Sequence, residues 1–447
     1  MNPEQPVEAV EDLLDYFRAA ETPVSDFRIG TEHEKIGIYA DDGARVPYAG
    51  ERGISALLER IAGRDDWRRI YEGENLIALE KQGASITLEP GGQIELSGAP
   101  LATIRETCRE FNRHVDLVKD VSSDMGIVWL ALGADPIHAV AEIPRMPKAR
   151  YDIMRDYLPN RGALSLDMMH STATVQANFD YASEADMATK LRMAMGCSPL
   201  ASALFANSPI HAGRESGFMT RRVEIWRHMD PDRCGLLPFV FEPDFGYRDY
   251  AEWALDVPMF FLVRDHEYIQ ATSVTFRRFL EAGFEGHRPT LGDWDLHLTT
   301  LFPEVRLKRV IEVRGSDAVP RDMICALPAL WKGVLYDVQA GEAAWKLVEH
   351  LTADQRQTLL VDVARLGLAA EVAGRPLLEL AREFTDIASE GLRRIGAPGE
   401  TELDECSFLD PIREYLERGM SPAEVMLESW RGEWQGSMDR LIEASRY

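Results

Sequence analysis

Glu32 and Glu34 stand in the segment Arg28-Ile29-Gly30-Thr31-Glu32-His33-Glu34-Lys35-Ile36, which reads as a β-strand. Side chains alternate across a strand, so both carboxylates point to the same side, a few ångströms apart. Two such charges repel, and burying them without compensation is expensive. A bound divalent cation relieves that cost, and paired carboxylates suit Mg²⁺. A solvated edge strand paired through His33 and Lys35 explains one such pair equally well. Three further segments bear on the choice.

The second is Ile86-Thr87-Leu88-Glu89-Pro90-Gly91-Gly92-Gln93-Ile94-Glu95-Leu96. Pro-Gly-Gly between two alternating stretches signals a hairpin. It places Thr87 with Glu89, and Gln93 with Glu95, opposite the apolar residues. In the third, residues 172–179, Thr172, Thr174, Gln176 and Asn178 alternate with Ala173, Val175, Ala177 and Phe179. The fourth, residues 306–314, reads as one strand with Arg306, Lys308, Glu312 and Arg314 on a single face. An antiparallel sheet packed on one side and solvated on the other produces such alternation generically. Carboxylates, amides and cations mixed on strands far apart in sequence fit a polyanionic substrate held through metal ions.

The elements around these strands predict an α+β fold: an antiparallel sheet with helices on one face and a helical C-terminal region. Residues 7–20 and 102–118 carry helical periodicity, and residues 127–132 read as a core strand, far short of a membrane span. After Pro320 the strand patterns vanish. Residues 354–366 and 376–394 are then helical, and Ser421-Pro422-Ala423-Glu424 opens another helix as a capping box. The expected division is a catalytic core over residues 1–319 and a helical region over residues 320–447.

The chain has 447 residues, 49 Lys+Arg and 74 Asp+Glu, hence a formal charge of −25. Such a field excludes nucleic-acid binding through overall charge. Against it, the four arginines Arg221, Arg222, Arg227 and Arg233 read as an anion-binding loop, since guanidinium forks match carboxylates and phosphates. Salt bridges to Glu224, Asp230 and Asp232 are the competing account. No GxxxxGK[ST] or GxGxxG phosphate loop is present, so a nucleotide must be held through metals and basic side chains. His33-Glu34 lacks the second histidine of HExxH. The five cysteines, Cys108, Cys197, Cys234, Cys325 and Cys406, show no zinc spacing. Cys108 falls in phase with Ile104, Phe111, Val115 and Val118 and reads as a small core residue. The odd count, the absence of close pairs and the acidic start without an apolar leader predict a cytoplasmic protein that is not bound to a membrane.

Longer stretches carry a resemblance. FRIGTEHEKIGIY, LDMMHSTATVQANFDY, RRVEIWRHMDPDRCGLLPFVF, HLTTLFPEVRLKRVIEVRG and SPAEVMLESWRGEWQGS, in that order, resemble the plant-type glutamate–cysteine ligases, which also occur in proteobacteria. The resemblance implies a glutamine synthetase-like fold with a curved antiparallel sheet. It implies ATP-dependent joining of the γ-carboxylate of L-glutamate to the amine of L-cysteine, the first step of glutathione synthesis. Glu32, Glu34, Glu95 and Glu312 then resemble Mg²⁺ ligands, with Glu89 a further candidate at the hairpin. Arg314 resembles the cation facing the γ-phosphate, with Lys308 beside it. Arg222 and Arg233 sit where the family holds substrate carboxylate, and the strand with Thr172, Thr174, Gln176 and Asn178 borders that site. Plant members carry a redox-sensitive cysteine pair, whereas residues 268–289 here contain no cysteine.

The chemistry explains these residue types. A carboxylate is a poor electrophile, so ATP first converts it to γ-glutamyl phosphate, which the cysteine amine attacks. Phosphoryl transfer needs charge neutralisation and alignment more than a protein nucleophile. The expected cofactors are ATP and Mg²⁺, the expected partners small-molecule substrates, and the expected state a monomer or weak homodimer. Another γ-glutamyl or carboxylate–amine ligase, with a different amine, stays open as the alternative.

Overall fold

A computed structural model describes residues 2–396 and 405–447. Nine strands make one antiparallel sheet: β1 (Ile29–Tyr39), β2 (Arg68–Glu72), β3 (Asn75–Lys81), β4 (Ala84–Leu88), β5 (Ile94–Ser97), β6 (Ile127–Leu130), β7 (Val175–Phe179), β8 (Val305–Leu307) and β9 (Ile311–Val313). Their order is β8-β9-β7-β1-β5-β4-β3-β2, with β6 paired to the far end of β1. β1 is therefore central, hydrogen-bonded to β5, β6 and β7. That removes the exposed edge strand as an account of Glu32 and Glu34. His33 and Lys35 point to the opposite, covered face and are 0% and 1% exposed.

One face of the sheet packs on helices. Ile29, Ile86, Leu88, Ile94, Leu96, Val175, Phe179 and Ile311 are all buried in one apolar core. Each contributes roughly 1.5–3 kcal/mol by leaving water. The helix Ile104–Ser123 lies behind β1 and β6, Glu184–Leu204 behind β8 and β9, and Ala326–Leu335 behind β7. Thr103 caps the first of these, accepting from Glu106 N while the Glu106 carboxylate accepts from Thr103 N. The other face carries the polar side chains. The Pro-Gly-Gly hairpin forms as expected, with Glu89 N donating to Gln93 O at 2.9 Å. Gly92 adopts φ +82°, a conformation open to glycine and strained for other residues.

Four expectations change. Residues 172–179 are not all strand: a helix, Ser165–Ser171, runs up to Thr172, and β7 begins only at Val175. Residues 306–314 form a tight hairpin, β8 and β9, with Lys308 N donating to Val310 O at 2.9 Å. The antiparallel pairing still keeps Arg306 and Glu312 opposite one another, so the shared face survives. The arginine-rich segment begins as a helix, Arg221–Arg227, capped by Thr220. Cys108 is not a lone core residue, because it forms a disulfide with Cys325, 217 residues away.

Beyond residue 320 the described chain is helical apart from the two-residue strands Glu371–Val372 and Arg375–Pro376. Its helices share the core beneath the sheet, which runs from Val7 to Tyr447. Among the described residues no helix is long and apolar enough to cross a membrane.

Candidate active site

Alternation along β1 leaves Glu32 and Glu34 on the open face, and antiparallel register brings neighbours to each. Glu34 lies directly opposite Glu95, and Glu95 opposite Thr87. Thr87 Oγ1 donates to Glu95 Oε2 at 2.6 Å. Glu32 lies opposite Gln176, and Asn178 Nδ2 donates to Glu32 Oε1 at 3.1 Å. Glu89, at the hairpin, joins this group electrostatically. Burial, then Glu89 and Glu95, raises the Glu34 carboxyl well above its ordinary range. Burial, then Glu312 and Glu95, pushes Glu32 up to about 7. Burial and Glu89 raise Glu95, while the Thr87 hydroxyl acts in the opposite sense. Here negative charge exceeds what the protein neutralises.

The neighbouring strands reverse the balance. Arg306 Nη2 and Lys308 Nζ reach Glu312 Oε2 at 2.8 and 2.9 Å, and Arg314 also pairs with Glu312. Burial pushes the Glu312 carboxyl up, but Arg306, Lys308 and Arg314 outweigh it and hold the group well below the usual range. Arg314 Nη1 also donates to Gln176 Oε1 at 2.9 Å, tying the cations to β7. Glu312, expected as a metal ligand, is placed as the counter-ion of three cations, with both oxygens engaged. Arg306 belongs to the constellation, a role that alternation alone does not assign to it. Its signal was present in the alternation with Lys308.

The four arginines separate clearly. Arg227 pairs with Glu224 at 2.6 Å and Arg221 with Asp167 at 3.5 Å. Arg233, expected at substrate carboxylate, is 0% exposed and donates to Asp230 Oδ2, Thr300 O and Pro258 O. Its donors are spent on the scaffold. Arg222 differs in having no carboxylate within ion-pair distance among the described residues: it is buried, its Nε has no acceptor (a lack it shares with Arg221 and Arg227), and it feels Asp317, Glu34 and Glu304 only at longer range. Its guanidinium lies 5.5 Å from the Trp226 ring, with Arg314 at 5.6 Å from the same ring. Thr172 and Thr174 are likewise withdrawn from the site. Their hydroxyls donate to Met168 O at 2.8 Å and Ser316 O at 2.6 Å.

Lys148 is a further residue that no strand pattern revealed. Its Nζ donates to Leu88 O at 3.0 Å, and burial lowers it to about 8 while Glu89 and Glu95 pull it back. Among the described residues no three His, Cys, Asp or Glu side chains are gathered to hold a metal ion unaided. The carboxylates form an open row instead. Mg²⁺ commonly takes one or two carboxylates and fills its sphere with water and phosphate oxygens, so such a row fits it.

The glutamate–cysteine ligase of Medicago truncatula chloroplasts is 44% identical over 440 residues, covering 98% of this chain and 85% of that protein. That of Arabidopsis thaliana chloroplasts is 44% identical over 440 residues, covering 98% and 83%. The names of these relatives contradict the cytoplasmic expectation drawn from the cysteines and the acidic start, of which the Cys108–Cys325 bridge weakens the first part. In shape the chain is similar to the crystal structure of a Francisella tularensis glutamate–cysteine ligase in complex with AMP. The TM-score is 0.57, with 13% identity, covering 93% of this chain and 86% of that one. That similarity bears on the fold, and agrees with helices on an antiparallel sheet. A family model, glutamate-cysteine ligase family 2, matches residues 28–444. The chain belongs to that family.

Proposed function

We propose that this chain joins the γ-carboxylate of L-glutamate to the amine of L-cysteine at the expense of ATP, releasing γ-glutamylcysteine, ADP and phosphate. The observation that carries this reading is the meeting, on one sheet face, of an under-neutralised carboxylate row with a cationic hairpin. Glu32, Glu34 and Glu95, with Glu89 at the rim, would hold Mg²⁺. When bound, Mg²⁺ supplies charge neutralisation and alignment of the phosphates. Arg314 and Lys308 cover the transferring phosphate, and Glu312 with Arg306 holds them in place. Arg222 presents its unpaired guanidinium to the α-carboxylate of glutamate, and Gln176 and Asn178 border the same cleft. Arg233, Thr172 and Thr174 support the scaffold. The core over residues 1–319 carries the reaction, residues 320–447 buttress the sheet, and the protein works as a monomer or weak homodimer on small-molecule substrates.

Phosphate release is the deciding assay, run with Mg²⁺, ATP and L-glutamate, then with each candidate amine added. A large stimulation by L-cysteine with formation of the dipeptide is expected. Stimulation by another amine alone would reassign the acceptor. No glutamate-dependent release under any condition would refute the reading.

A further inference from the structure

Glu304 stands two residues before Arg306, where the bend entering β8 brings it beneath the helix Arg221–Arg227. Its backbone is fixed on both sides: Glu304 N donates to Gly235 O at 3.0 Å, and Glu304 O accepts from Arg314 N at 3.1 Å. The residue is only 7% exposed, and its Oε2 is buried with no donor among the described residues. Among the described residues no arginine comes within ion-pair distance, although Arg222, Arg314 and Arg227 all act on it from farther away. Glu304, Arg222, Trp226, Phe302 and Arg314 line one small cavity. Arg222 Nε is also buried without an acceptor. Leaving two complementary charged groups unsatisfied around one space is costly unless something else fills it.

We propose that Glu304 receives the α-ammonium group of the amino-acid substrate, beside the α-carboxylate held by Arg222. This assignment rests on the ligase reading above. The two unpaired groups carry the charges that complement a zwitterionic head group, and the short glutamate side chain of the substrate would then extend toward Arg314 and the carboxylate row. The cavity, about 10 Å³, takes one water-sized group, which is the size of an ammonium but not of a whole amino acid. Gly315 leaves room here: a Cβ there would stand 2.8 Å from Glu304 Oε2 and equally 2.8 Å from Ser202 Oγ. A trapped water bridging Glu304 and Arg222 is the competing occupant.

The test compares L-glutamate with glutarate, which keeps both carboxylates and lacks the ammonium, in wild type and Glu304→Gln. The wild type should prefer L-glutamate strongly. The variant should lose about 10²-fold in kcat/KM for L-glutamate with little change for glutarate and for the KM of ATP. Discrimination between the two acids would then collapse. An equal fall on both acids would make Glu304 a structural group, and no fall would favour the trapped water; either result overturns the assignment. If Glu304→Gln does not fold, Gly315→Ala, which presses on the same carboxylate, should reduce the same ratio, and an unchanged ratio there counts against it equally. A wild type that ignores L-glutamate altogether refutes the ligase reading itself, and this assignment with it.

Discussion

Glu34 and Glu312 share a sheet face and meet opposite surroundings, so the same substitution should act on them differently. Glu34 is repelled by Glu89 and Glu95. Glu34→Gln should therefore leave the melting temperature unchanged or higher, while turnover falls roughly 10²-fold or more through the weakened Mg²⁺–ATP site. Near-normal turnover at saturating Mg²⁺ would rule out that role. Glu312 neutralises three cations. Glu312→Gln should lower stability by about 3–5 kcal/mol, the cost of stranding buried charges, as well as activity. Urea unfolding of both variants distinguishes the cases, and equal stabilities would contradict the difference in environment. Arg222→Lys should raise the KM for glutamate strongly with little effect on that for ATP, because an ammonium cannot reproduce a bidentate fork. A lowered melting temperature with normal glutamate dependence would instead make Arg222 a structural residue. Period-two alternation made Glu32, Glu34, Glu95 and Glu312 legible in sequence. It could not distinguish Arg222 from Arg233. What separates them is the set of backbone carbonyls at Pro258 and Thr300, which only the folded chain brings to Arg233.

At the scale of elements, the cleft depends on how the helix Arg221–Arg227 is fixed to the sheet. Asp317, just past β9, accepts from Thr220 Oγ1 at 2.8 Å, and from Ser208 Oγ and Asn207 N, each at 2.7 Å. Ser208 Oγ in turn accepts from Arg222 N at 3.3 Å. Burial pushes the Asp317 carboxyl up to about 6, against the pull of those donors and of Arg222. An unfolded aspartate titrates near about 3.9. Between those two values the native state holds a proton that the unfolded state has lost, so this group's contribution falls as pH rises from about 4 to about 6. The loss is on the order of 3 kcal/mol at most. Asp317→Asn lacks this titration. The stability of wild type relative to the variant should therefore decline over that window and stay level above it. Urea denaturation of both proteins at pH 4, 5, 6 and 7 measures the difference, and a constant gap would exclude Asp317 as its source. This anchor was invisible in sequence, since its partners lie about a hundred residues away. The turn between β8 and β9 was hidden for another reason: Lys308-Arg309-Val310 contains no Gly, Pro, Asn or Asp to mark it. The Pro-Gly-Gly turn between β4 and β5 carries that mark and is legible in the sequence.

For the whole molecule, the decisive feature beyond the sheet is the Cys108–Cys325 bridge, which joins the helix Ile104–Ser123 to the residue capping Ala326–Leu335. A 217-residue separation hides such a pairing from any local reading, although the folded Cα atoms are 5.5 Å apart. Cys108→Ser should cost about 2–4 kcal/mol through the freed unfolded chain, measured against oxidised wild type in urea. A variant as stable as oxidised wild type would show that the bridge constrains little. The same bridge has a consequence for chain cleavage. Asp265 and His266 form the exposed tip of a hairpin between Phe261–Arg264 and Glu267–Gln270, and this tip lies inside the disulfide-closed loop. A protease that nicks the tip leaves two polypeptides still covalently joined and still sharing one core. Electrophoresis without reductant should show a single full-length species, and added reductant should resolve it into two fragments.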